Sequence, residues 1–366
     1  MNSTERMTAT IKGLPLDRIM LRERYWDETI IRWMDEGYPV EDSPKGRVPA
    51  DPVAQFGLDI WPVNVWFDNK PIANYREILD QNDDWIIARD GAGAVLRTWK
   101  KRSGAPEHLE FSIHDRDVWE EKYRSHLLNL DISRMDIEAT RNGLEKYKKM
   151  GVSPYYGNTF IWDTLRQCLG DIVMFENLIL EPDWISDMVN TYTDFYITHY
   201  RYLFEKAGLP DSVWVFDDLG FRSGLFCSPK ILEELFLPCY RRFNDFIHGY
   251  GIPVVLHSCG NIRAALPMIL QADFDGLNPL EVKAECDVFT FDRLCEGELA
   301  FFGGMDVRLF ECGDRSRIKR EIAELLERVK AEGVRYAFCS DHSISNDVSY
   351  QDYLYALEVY REHCYY

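Results

Sequence analysis

The sequence predicts a parallel α/β fold, with an α/β barrel preferred over an open doubly wound sheet. Three observations carry this prediction. From Gly151 onward, short apolar runs alternate with amphipathic helical stretches, the pattern of a parallel sheet covered by helices. Polar or metal-ligating residues follow at least five of those runs: Asp217 and Asp218, His257 and Cys259, Glu281, Asp306, and Cys339 with His342. A barrel collects its functional residues in the loops after its strands. Finally, no Gly-x-Gly-x-x-Gly or phosphate loop stands in the right context, which counts against a nucleotide-binding open sheet.

The N-terminal third reads differently from the rest. Residues 14–38 read as a helix, with Ile19, Tyr25, Ile30, Ile31 and Met34 on a recurring face and Gly37 at its end. Residues 39–60 carry Pro39, Pro44, Gly46, Pro49 and Pro52 and read as a connection. Strands follow between residues 61 and 114. Val63–Phe67 alternates in part, and Trp85–Ala88 and Ala94–Trp99 flank the turn residues 89–93 as a hairpin. Residues 1–115 are therefore expected as a helical and antiparallel-strand extension packed as a cover on a barrel formed by residues 116–366.

Within residues 116–366, 117–150 is charged and helix-like, with a break near Asp131. Strands are expected at 155–161, 213–216, 254–256, 274–277, 299–302 and 336–338. Helices are expected at 183–206, from Ser228-Pro229 towards Tyr250, at 316–330 and at 350–363. Ser228 is a good N-cap with Pro229 in the first turn. Ile318, Ile322, Leu325 and Val329 lie on one stripe, and Gly333 follows as the C-terminal cap.

Composition narrows the function classes. The chain has 366 residues, 46% of them hydrophobic, enough for a large core. A net charge of −19 argues against general binding to nucleic acid or anionic membranes. The nine cysteines are irregularly spaced and include no Cys-x-x-Cys pair, so a disulfide framework is not expected. The first residues lack the apolar stretch of a signal peptide, and no run has the length of a membrane-spanning helix. A cytoplasmic protein with reduced thiols is expected. Trp61, Trp66 and Tyr156 are candidates for an aromatic pocket, although core filling is the commoner role of such residues.

The sharpest chemical signal is Val254-Val255-Leu256 running into His257 and Cys259. Residues two apart on a strand point the same way, so the imidazole and thiol can reach one point. Such a pair suits zinc. A second apolar run, Tyr336-Ala337-Phe338, ends at Cys339. In one parallel sheet the three side chains could converge, leaving a fourth position open as catalytic zinc requires. The ordinary alternative is a hydrogen-bonded core histidine and inert cysteines.

Four segments resemble the uroporphyrinogen decarboxylase superfamily: Asp217-Asp218-Leu-Gly with Ser228-Pro229 and Pro238, Gly251–Gly260, Gly303-Gly304-Met305-Asp306, and Phe338–His342. They cover roughly residues 150–366. The His-x-Cys…Cys combination resembles its zinc-dependent corrinoid methyltransferase branch more narrowly. That resemblance implies a distorted (β/α)8 TIM barrel in which zinc is held by His257, Cys259 and Cys339, with Glu281 as the favoured carboxylate ligand ahead of Asp218. It also implies transfer of a methyl group between a small methylated substrate, such as an aromatic methyl ether, and a corrinoid (cobalamin) carried by a separate protein. Asp218 and His342 are the candidate catalytic residues. A homodimer is compatible with this reading. The alternatives are a metal-independent decarboxylase of a tetrapyrrole-like or other carboxylated substrate, and a non-catalytic corrinoid- or tetrapyrrole-binding barrel. The arginine-rich N-terminal motif of the true decarboxylases is absent.

Overall fold

The computed structural model describes residues 1–44, 46–63, 67–101 and 104–366. Eight parallel strands form its centre: β1 Met20–Leu21, β2 Ile60–Pro62, β3 Ser153–Thr159, β4 Ser212–Phe216, β5 Val254–His257, β6 Gly276–Asn278, β7 Ala300–Phe302 and β8 Tyr336–Phe338. Each strand from β2 to β8 pairs with the next in sequence, and β1 pairs with β8. The remaining seam lies between β1 and β2, and Asp59 bridges it. Its N–H donates to the Leu21 carbonyl at 2.8 Å. Its buried carboxylate accepts from the Leu21 N–H at 2.8 Å. The same carboxylate takes Arg18 at 2.6 and 2.9 Å and the Ser3 hydroxyl at 2.6 Å. The result is a nearly closed α/β barrel.

Strand alternation sorts side chains between two cores. Val213 and Val215 of β4 face the surrounding helices, whereas Trp214 joins the barrel interior with Met20, Ile60, Tyr155, Val255, Phe302 and Ala337. Met7 and Ile11 of helix Ser3–Lys12 belong to the same interior cluster. That helix therefore covers the end where the strands begin. Trp214 stacks on Tyr155 at 4.8 Å and meets Phe302 edge-on at 5.1 Å. This aromatic layer fills the barrel interior beneath the strands' C-terminal ends.

The expected boundary at residues 115/116 does not hold, because β1 and β2 lie in the first 115 residues and complete the barrel. The helix expected over 14–38 is also corrected: it is helix Asp27–Asp35, preceded by β1. A two-residue strand is too short to show alternation, so it reads as part of the helical pattern. The expected strand at 63–67 falls mostly outside the described residues, as does Trp66. Residues 39–60 contain a hairpin, Val40–Ser43 with Gly46–Pro49, and helix Pro52–Phe56. The predicted hairpin is present as Trp85–Asp90 paired with Val95–Trp99, in the middle of a four-stranded antiparallel sheet with Arg76–Gln81 and Glu107–Glu110. This sheet flanks helix Ile161–Leu180, which breaks at Gly170. The Phe111 ring lies 2.5 Å from where a Cβ at Gly170 would stand, so the contact needs glycine there. No described helix is long and apolar enough to cross a membrane.

Candidate functional site

The strands' C-terminal ends surround a cavity of about 440 Å³. His257 is the last residue of β5 and pairs in register with Asn278, the last residue of β6. The Asn278 amide nitrogen donates to the Phe302 carbonyl at 2.5 Å, which fixes the amide's orientation. Its oxygen must then accept from His257 Nδ1, 2.5 Å away. The His257 proton therefore sits on Nδ1, and the Nε2 lone pair faces the Cys259 sulfur. Burial lowers the pKa of His257 and keeps the ring neutral. Phe216, at the end of β4, packs on the imidazole with centroids 4.7 Å apart.

Cys259 Sγ stands 3.5 Å from His257 Nε2, as same-side placement on an extended segment requires. Asp218 Oδ1 accepts from the Cys259 N–H at 2.8 Å and lies 3.9 Å from His257 Nε2. Ligand atoms of Asp218, His257 and Cys259 all fall within 4.8 Å of one another. Burial, and then the Asp218 carboxylate, push the Cys259 thiol well above its usual range. One neutral imidazole, one carboxylate and one thiol disfavoured as an anion make an electron-rich cluster. A divalent cation would reverse that penalty, so the donor set fits a metal such as zinc.

Glu281 lies nearby in a different arrangement. Its carboxylate accepts from the Gly260 N–H at 2.7 Å and pairs with Lys283 at 3.2 Å. Asp218 and Glu281 thus grip two successive backbone N–H groups just after β5. Gly260 has φ +80°, and a Cβ there would stand 2.3 Å from the Gly220 carbonyl carbon. Only glycine lets this turn pass so close to its neighbour.

Cys339 lines the same cavity from the end of β8. Its sulfur accepts from Arg22 Nη1 at 3.2 Å. Burial pushes the Cys339 thiol up to about 12, with the Glu23 carboxylate adding to the effect. Cys339 is not within the tight cluster of Asp218, His257 and Cys259. His342 is exposed at the cavity rim, its ring 5.9 Å from that of Trp26. Asp217 is buried and structural: it accepts the N–H groups of Trp162 and Asp163 at the start of helix Ile161–Leu180, and the Tyr240 hydroxyl at 2.7 Å. Asp306 pairs with Arg308 on the surface. Tyr156 is fully buried and donates to the Gly208 carbonyl, a core role.

Sequence reasoning missed Asn278, Arg22, Glu23 and Arg24. Asn278 directly follows Gly276-Leu277 at a strand's end as His257 follows Val254-Val255-Leu256, and the three charged residues directly follow Ile19-Met20-Leu21. The same strand-end signal would have found them once β1 had been recognised.

These features define an α/β barrel with a polar, metal-competent cavity at its strands' C-terminal ends. A family model described as uroporphyrinogen decarboxylase (URO-D) matches residues 172–363, more than half of the chain, and the protein belongs to that family. Among solved structures, the chain resembles a methyltransferase from Methanosarcina mazei, with 16% identity and a TM-score of 0.69 over 99% of this chain and 98% of that one. At that identity the likeness concerns the fold. A structure of L-ribulose 3-epimerase matches 63% of this chain and 74% of its own, at 11% identity and a TM-score of 0.34. No curated protein matches the sequence.

Proposed function

We propose that this protein is a zinc-dependent methyltransferase. It moves a methyl group between a small methylated substrate, such as an aromatic methyl ether, and the cobalt of a corrinoid held by a separate protein. The supporting observation is the convergence of Asp218, His257 and Cys259 within 4.8 Å on a cavity that Cys339 also lines. The fold shared with the Methanosarcina mazei methyltransferase is consistent with this class of chemistry. In this reading His257, Cys259 and Cys339 hold the zinc, and Asp218 is the carboxylate beside His257 and Cys259. Glu281 serves the turn instead, through Gly260. Zinc bound there would supply a Lewis acid that activates an ether oxygen or a thiol.

The chain's own residues do the rest. Asn278 holds the His257 tautomer that offers Nε2 to the cavity. Asp218 and Glu281 fix the backbone that carries Cys259. His342 stands at the rim, where it can give a proton to a departing oxygen. Phe216, Tyr155 and Trp26 give the cavity aromatic walls. The test is to mix zinc-loaded protein with reduced cobalamin and a panel of methoxylated aromatics, and to follow the cobalt absorption spectrum. Appearance of methyl-cobalt absorption with release of a phenol supports the reading. Absence of methyl transfer across the panel, with carbon dioxide released from a carboxylated compound, would replace it with a decarboxylase.

A further inference from the structure

A second cavity opens at the other end of the barrel. It lies between helix Ser3–Lys12 and the segments that lead into β4, β5, β6 and β8, and its volume is about 690 Å³. The proposed methyl transfer makes no use of it. Its lining reverses the sign of the chain, whose net charge is −19. Lys12, Lys148 and Arg335 line it together with Asp211 and Asp275. Both carboxylates are already engaged. Asp275 accepts from the Val254 N–H at 2.7 Å and meets His248 Nε2 at 2.8 Å. Asp211 takes the Thr4 hydroxyl at 2.6 Å and stands 3.8 Å from Lys148 Nζ, whose closer partner is the Leu209 carbonyl at 2.8 Å. The other two cations have no paired carboxylate. Arg335 Nη1 donates to the Ile11 and Glu298 carbonyls, at 3.2 and 2.9 Å, and the side chain forms no ion pair among the described residues. Asp292 is near enough to feel its charge but does not pair with it. Arg335 Nε stands beside Gly13, 2.7 Å from where a Cβ there would be. Lys12 directly precedes that glycine, is exposed, and has no hydrogen-bond or ion-pair partner among the described residues.

We propose that this cavity, at the strands' N-terminal ends, binds a small phosphate-bearing molecule through Lys12, Lys148 and Arg335. The inference does not depend on the methyl-transfer reading. Lysine ammoniums act on phosphate as compact point charges, and a guanidinium adds a fork of N–H donors that matches phosphate oxygens. Three such groups around one concavity concentrate positive potential there, where the rest of the acidic chain repels anions. The volume lies within the roughly 300–1,000 Å³ usual for organic ligands, so there is room for more than a phosphate group. Tyr250 lines the same space, and its ring is held from behind by Phe204 and Phe246 at 5.0 and 5.4 Å. It offers a fixed apolar face to the organic part of the ligand. An occupant would tie helix Ser3–Lys12 to the loops that enter the strands. Met7 and Ile11 of that helix pack into the barrel interior with Trp214 and Tyr155, so the ligand would also hold the barrel's floor in place. A ligand of the folded state alone raises the melting temperature.

The test is calorimetric titration of the purified protein with phenyl phosphate at low and high salt, with thermal melting alongside. Wild-type protein should bind the probe, more weakly as salt rises, and should melt at a higher temperature in its presence. Lys12→Gln and Lys148→Gln change exposed side chains and should each weaken binding about fivefold, equal to the loss of ~1 kcal/mol. Arg335→Lys should retain more affinity than Arg335→Gln. Because Arg335 also serves two backbone carbonyls, the two lysine variants keep the test decisive if the arginine variants fold poorly. Failure of the wild type to bind phenyl phosphate at millimolar concentration would overturn the proposal. So would affinity unchanged in both lysine variants. Loss of binding in Arg24→Gln but not in the lysine variants would place the anion in the cavity at the strands' C-terminal ends and overturn it as well.

Discussion

Replacing Asn278 by alanine tests the metal site through a residue that is not itself a ligand. In the native protein Asn278 accepts from His257 Nδ1 and donates to the Phe302 carbonyl, both at 2.5 Å. Alanine removes both bonds. The imidazole can then take either tautomer and rotate, and a fraction of molecules no longer offer Nε2 to the cavity. Loss of such an orienting partner typically lowers metal affinity about 10- to 100-fold, equal to about 1.4–2.8 kcal/mol. The buried donor and acceptor left unpaired cost a further ~1–3 kcal/mol of stability. Zinc affinity is measured by competition with a chromophoric chelator, and folding is checked by thermal melting. A folded Asn278→Ala protein with unchanged zinc affinity would refute the argument that His257 Nε2 faces a metal.

Three further outcomes follow from the same structure. Asp59→Asn should destabilise the protein by about 3–5 kcal/mol in chemical denaturation, because it leaves Arg18 without its buried partner at the barrel seam; a loss below about 1 kcal/mol would show that the seam does not depend on that charge. Gly260→Ala should cost more than about 2 kcal/mol and weaken zinc binding, since the new methyl meets the Gly220 and Phe221 backbone at 2.3–2.6 Å; wild-type stability would contradict the close approach. Burial raises the pKa of Glu23 to about 7. A carboxyl raised in the folded state stabilises fully below its unfolded value near 4.5 and loses that contribution as pH climbs through about 7. The stability difference between wild type and Glu23→Gln should therefore shift against the wild type by at most about 3 kcal/mol across that window, and a pH-independent difference would rule this out.

Much of the barrel was legible because β3 to β8 are apolar runs separated by helical patterns. His257 and Cys259 could be placed together from strand alternation alone, and they stand 3.5 Å apart. β1 was not legible, since two residues cannot display a period, and Arg22, Glu23 and Arg24 went unnoticed with it. The choice between Asp218 and Glu281 also lay beyond the sequence. Both follow strand ends, and only the three-dimensional path of the loops directs one to His257 and the other to the Gly260 N–H. Helix Ile161–Leu180 was missed because its break at Gly170 interrupts the periodicity.

The most direct test of the central claim is the metal content of protein purified without chelator or affinity tag, measured by mass spectrometry for wild type, Cys259→Ser and Cys339→Ser. The account predicts about one zinc per wild-type chain, as expected for a single catalytic site, and loss of zinc in both variants. A wild-type protein that stays free of zinc after supplementation, or variants that keep it in full, would contradict the account.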